Sequence, residues 1–134
     1  MAFEDLYRLS AHAVITDDRG RVLLLKSTYG SFAWGLPGGA LDPGETIHEC
    51  LSRECVEELG QAARLGPLTG VYFHRAVNSH AFIFRAELAA PNEIRLSSEH
   101  SESQWFRLED LSPVQRTRVD DCLRFNGTVV SAKF

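Results

Sequence analysis

Hydrophobic and polar positions change period several times along the chain. Residues 10–16 alternate loosely around Ala13, Val14 and Ile15 and predict a strand, and residues 21–26 predict a second, more apolar one. Asp17-Asp18-Arg19-Gly20 is a turn between them, so the two are expected to pair as a hairpin. At residue 46 the period becomes helical. Thr46 and Glu49 have capping-box spacing, and Leu51, Cys55 and Leu59 fall on one arc at about 100° per residue. Gly60 suits the left-handed position after a helix end, which gives a helix over 46–59. Residues 61–66 read as a connector. Residues 70–76 and 80–89, rich in aromatic and β-branched side chains, predict an antiparallel pair across Val77-Asn78-Ser79. A polar loop over 91–103 holds Glu93, Glu99, His100 and Glu102, followed by a short strand over 104–108. Ser112-Pro113-Val114-Gln115 opens a second helix expected to end near Asn126-Gly127, and residues 128–134 are either loose or an edge strand. Strands, helix, strands, helix give an α/β (α+β) chain, an α-β-α sandwich with a mixed sheet between helices.

Composition narrows the class. A chain of 134 residues fits a single domain spanning 1–134. The net charge of −4 and pI near 5.7 argue against a general nucleic-acid binder, which would carry a basic stripe. Cys50, Cys55 and Cys122 lack C-x-x-C spacing and read as small buried hydrophobes in a reducing compartment. The start is acidic without an apolar run, so no signal peptide is expected. The aliphatic run 22–25 is far too short to span a bilayer; no membrane association and a cytoplasmic location are expected.

Three acids then change the picture. Glu54, Glu57 and Glu58 sit at i, i+3 and i+4 of the first helix, so they share one side. They crowd its last turn, where the helix dipole is already negative, at a cost of about 0.3–1 kcal/mol each. A bound hard cation would turn that liability into a site. Their arc lies beside the apolar arc, roughly a third of a turn away, which puts them at the rim of a cleft. Upstream, Gly38 and Gly39 follow Pro37, permitting close approach of bare backbone to a ligand; from this tripeptide alone a plain tight turn is the simpler expectation.

Gly39-(five residues)-Glu45-(seven)-Arg53-Glu54-Cys55-Val56-Glu57-Glu58-Leu59-Gly60-Gln61 closely resembles the signature box of the Nudix hydrolases, of the single-domain MutT type, over residues 39–61. Cys55 stands where an aliphatic residue is usual, and Gln61 replaces a final hydrophobic one. Trp34-Gly35-Leu36-Pro37-Gly38-Gly39, and Trp105-Phe106 before Leu108-Glu109-Asp110-Leu111, resemble the family's flanking segments. The resemblance implies hydrolysis of a nucleoside diphosphate linked to another moiety, with Mg²⁺ or Mn²⁺ as cofactor. It implies Glu54, Glu57 and Glu58 as metal ligands, the Gly38 carbonyl as a further one, and Arg53 and Glu45 as residues that orient them. The base that activates water falls on a box glutamate or on one in the loop before the last strand, where Glu99 is the best match and Glu102 the fallback.

The substrate is less defined. Lys26, Arg75 and Arg85 could meet phosphates, and Tyr29, Phe32, Tyr72, Phe73 and His74 could stack a base, although strand aromatics usually belong to the core. Of these, Lys26, Tyr29, Phe32 and Arg75 are the chosen substrate contacts. A nucleoside triphosphate and a nucleotide sugar both stay open as the small partner. The alternative is a catalytically silent Nudix-fold sensor or interaction module. An edge strand or the tail could support a homodimer.

Overall fold

The computed structural model describes residues 2–134. Along the chain the strands are β1 (Arg8–Val14), β2 (Val22–Ser27), β3 (Trp34–Gly35), β4 (Gly38–Ala40), β5 (Ala63–His74), β6 (Ser79–Leu88), β7 (His100–Phe106) and β8 (Val130–Lys133). Helix α1 (Ile47–Leu59) follows β4, and α2 (Pro113–Leu123) follows β7. Five strands form a mixed sheet in the order β4-β1-β6-β5-β8, and β3-β2-β7 form a second, smaller one.

Alternation on β1 explains how two helices cover one sheet. Ala11 and Ala13, with Ile15 beyond the strand, pack with Cys50, Leu51, Cys55 and Leu59 of α1. Val14 faces the other way, into a second core with Tyr72, Ile83, Val119 and Cys122 beneath α2. The expected sandwich is therefore present, as are the buried, unpaired cysteines. No described helix is long and apolar enough to cross a membrane.

Several expectations need correction. The turn after residue 16 exists, with the Asp17 amide bonded to the Arg21 carbonyl at 2.9 Å. Its flanking strands nevertheless diverge into different sheets after a single Thr16–Val22 bridge, because β1 is claimed by β4 and β6. Residues 63–66 of the supposed connector are the start of β5, whose register breaks between Leu65 and Gly70 absorb Gly66 and Pro67. Strand β7 begins at His100 inside the supposed polar loop; residues 101–104 are polar and all exposed, which hid it. Helix α2 stops at Leu123, before the glycine that was expected to end it. The tail is an edge strand, parallel to β5.

Candidate functional site

Helix α1 is fixed at both ends. The Thr46 side chain accepts from the Glu49 amide at 3.1 Å while Glu49 accepts from the Thr46 amide at 3.0 Å, closing the capping box. Gly60 ends the helix at φ 71°. This places the acids of its last two turns against β4. There the Gly38 N–H donates to Glu58 Oε1 at 2.7 Å. Gly38 has φ 137°, and a side chain on it would overlap the Ala11 backbone and lie 2.7 Å from His12 Cα. A Cβ on Gly39 would sit 2.8 Å from Glu54 Oε1. The glycine pair is thus strand rather than turn, and at Gly38 the backbone of Ala11 and His12 leaves no room for a side chain.

Arg53 organises the acids. Its Nε and Nη2 grip both oxygens of Glu45 at 2.7 and 2.9 Å, and Nη1 donates to Glu54 at 3.0 Å and Glu57 at 3.2 Å. These hydrogen bonds, joined by one from the Asp42 amide, hold Glu45 down to about 2. Glu54 is pushed above the ordinary range by burial, against the opposing pull of Arg53. Glu58 is only 4% exposed. Burial pushes it to about 8; the Gly38 N–H opposes this, and the charges of Glu54, Glu99 and Glu57 add to it.

The outlying candidates divide. Glu99 is exposed just before β7, and its charge adds a small upward push to the pKa of both Glu54 and Glu58. Thr28 ties the following loop to it, its amide bonded to the Glu99 carbonyl at 2.9 Å and its hydroxyl to the Ser98 carbonyl at 2.9 Å. Tyr29 and Phe32 are exposed on that loop, and Phe32 is held at φ 55°. Glu102 instead pairs with Lys26 at 3.6 Å across β2 and β7. Arg75 lies in the turn after β5, in a groove with Leu6, Tyr7 and Arg8 that none of the acids lines.

His100 was missed from sequence. Its Nε2 is 3.5 Å from Glu58 Oε2, its Nδ1 is buried without a partner, and burial pushes its pKa down. Simple alternation would place it on the side of Glu102 and Gln104. The register shift opposite Lys26 and Ser27, which skips Ser101, breaks that alternation. A histidine next to the favoured loop glutamate was the available signal.

Among the described residues no three His, Cys, Asp or Glu side chains already converge as a metal cage. Arg53 and the Gly38 amide hold the carboxylates as they stand. The residues still fit a divalent ion. They offer only hard oxygen donors, two of them in carboxylates that burial makes costly to ionise, and a cation would relieve that cost.

The chain matches the family model described as NUDIX domain over residues 6–123. It is 32% identical over 107 residues to a MutT-like protein of Streptomyces ambofaciens, covering 80% of this chain and 68% of that protein. It is 31% identical over 90 residues to the nucleoside triphosphatase NudI of Escherichia coli, covering 58% of this chain and 64% of that protein. Among solved structures, the MutT protein from Methanosarcina mazei superposes with a TM-score of 0.77 at 29% identity, covering 94% of this chain and 99% of that one.

Proposed function

The chain belongs to the Nudix family, a hydrolase of phosphoric anhydride bonds, and on that premise we propose that its substrate is a nucleoside triphosphate cleaved with Mg²⁺. The observation that carries this reading is the pair of dehydrated carboxylates, Glu54 and Glu58, set against the bare backbone of Gly38 and Gly39. A polyphosphate would be repelled by such a cluster alone. A divalent cation held by Glu54, Glu57, Glu58 and the Gly38 carbonyl would supply the missing positive charge and acidify water; Mn²⁺ is a substitute.

The chain's own residues do the rest. Arg53 holds Glu54 and Glu57 in aim while braced on Glu45, so the donors are ordered before substrate arrives. Glu99 is exposed, close enough for its charge to act on Glu54 and Glu58, and is the base that takes the proton of the attacking water. Oxygen of that water joins phosphorus, the bridging P–O bond breaks, and the leaving phosphate departs with its electron pair. Glu102, the fallback, pairs with Lys26 across the strands and is not assigned this role. The exposed rings of Tyr29 and Phe32, on the loop tied to Glu99, lie against the nucleoside.

Glu57→Gln and Glu58→Gln are expected to lower Mg²⁺-dependent turnover by about 10³-fold or more. Their thermal transitions should stay unchanged or rise. The assay follows phosphate released, after phosphatase treatment, from nucleoside triphosphates, nucleotide sugars, ADP-ribose and 5′-triphosphate RNA. Near-normal turnover in either variant would refute the metal assignment. Silence of the wild type across the panel would favour a sensor.

A further inference from the structure

Helix α1 covers only part of its face of the large sheet. Ala11 and Ala13 of β1 are buried beneath it, but Leu9, which alternation puts on the same face, is exposed. Leu9 pairs in register with His80 of β6, and His80 with Phe73 of β5, so these three side chains form one row on that face. The Tyr7 ring meets Phe73 and His80 edge-on, with centroids 6.1 and 5.3 Å away, yet stays half exposed. Leu6, 86% exposed, and the half-exposed Val77 of the turn after β5 line one groove with Tyr7. The strip is not a loose end. Asn78 pins it from both sides, its Nδ2 donating to the Leu6 carbonyl at 2.9 Å and its own carbonyl accepting from the Arg8 amide at 3.0 Å. Leu6, Tyr7, Leu9 and Val77 thus present a fixed apolar surface to solvent, with no part in the hydrolytic site.

Charge says what covers it. Two grooves flank the strip, with Tyr7 and Arg8 as the wall between them. One runs to Arg75; the other runs to the turn that carries Asp42 and Pro43. Among the described residues neither Arg8 nor Arg75 is in an ion pair. Asp42 is exposed and meets only Arg53, at 3.5 Å. A strip with a basic groove on one side and an acidic groove on the other is complementary to itself. A two-fold axis along the strip lays each copy's Arg75 groove on the other copy's Asp42 groove. We infer that this face is the interface of a two-fold dimer of the chain. Its four apolar side chains expose roughly 500 Å² per copy, so two copies bury roughly 1,000 Å² before the charged flanks are counted, which reaches the size of a specific interface. An anionic lipid surface would call for basic residues on both flanks, and the Asp42 side opposes it. The interface encloses the turn at 42–45, whose Glu45 braces Arg53.

Sedimentation equilibrium of the full chain over a dilution series tests this. The expected species has twice the 15.0 kDa mass of the chain and dissociates on dilution. Leu6→Asp, at a side chain too exposed to support the fold of one copy, should weaken association by about 100-fold or more. Arg75→Glu and Asp42→Arg should each weaken it by about 10-fold. An equimolar mixture of those two variants should recover nearly wild-type association, because every cross-contact then joins opposite charges. Hydrogen exchange of the wild type, concentrated against dilute, decides the face even if a variant fails to fold: added protection should fall on residues 6–9, 42–45 and 75–78. A wild type that is monomeric at every concentration overturns the inference, and pelleting of that monomer with phosphatidylserine vesicles would give the face to a membrane. A dimer untouched by Leu6→Asp, a mixture no tighter than its components, or protection confined to other residues would place the contact elsewhere and overturn it equally.

Discussion

Arg53 and Arg118 are the same residue in opposite surroundings. Arg53, partly exposed on α1, is met by Glu45, Glu54, Glu57 and the Ala40 carbonyl, so its donors face an excess of negative charge. Arg118, buried under α2, is met by an amide oxygen and a neutral ring nitrogen. Burial and counter-charge, not residue type, decide what each can do. Surplus acid leaves the α1 face short of a cation, whereas on the α2 face the Arg118 Nε is the guanidinium nitrogen left without a partner among the described residues. Gly38 stands between them, donating its N–H to Glu58 and pairing in register with His12.

Breaking that junction should therefore do the most damage. Gly38→Ala would place a methyl against the Ala11 and His12 backbones, which cannot swing away as a side chain could, in a conformation at φ 137° that alanine rarely adopts. Strain and overlap together should cost about 3 kcal/mol or more. The thermal transition should fall by about 10 °C, and activity should be lost even at temperatures where the variant remains folded. A variant as stable as the wild type would mean that the strand is not held as described.

Breaking the acid side alone should do less. Arg53→Lys keeps the charge but cannot grip both oxygens of Glu45 while reaching Glu54 and Glu57. A loss of about 10- to 100-fold is expected, mainly as weaker Mg²⁺ activation. Titrating activity against Mg²⁺ checks it: partial recovery at high metal is the mark of a positioning role, and an unchanged metal requirement would refute it.

The acid side was also the more legible one. Glu54, Glu57 and Glu58 share a helix face, and helical spacing converts directly into proximity; Thr46, Glu49 and Gly60 set the helix bounds within a residue. The α2 side gave no such signal. Arg118 sits in a helix with Arg116 and Asp120 at ordinary surface spacing, and nothing local marks it as the buried one. Its partners His12 and His74 come from strands far off in sequence, so their meeting depends on sheet order, which periodicity does not encode. The division into two sheets was hidden for the same reason: a turn at 17–20 looks the same whether its strands continue as a hairpin or part after one bridge. His100 was lost to a register shift that only pairing with β2 reveals.

A last test reaches both faces through pH. Burial favours the neutral form of Glu58 and of His12, but these neutral forms lie on opposite sides of titration. Glu58 is raised from 4.5 to about 8, so in chelator its contribution to stability is fully present below about pH 4.5 and is lost as pH rises toward 8. His12 is lowered from 6.5 to about 3, so its contribution is present above about pH 6.5 and is lost as pH falls toward 3. Glu58 thus tilts the stability curve down toward alkali, and His12 tilts it down toward acid. Relative to wild type, Glu58→Gln should gain stability progressively between about pH 5 and 8, and His12→Asn between about pH 6 and 4. Adding Mg²⁺ should restore the alkaline limb of the wild type, because a cation replaces the proton that Glu58 would otherwise keep; it should leave the acid limb unmoved. If Mg²⁺ shifted both limbs equally, the two faces would be one coupled site, and the contrast between Arg53 and Arg118 would not stand.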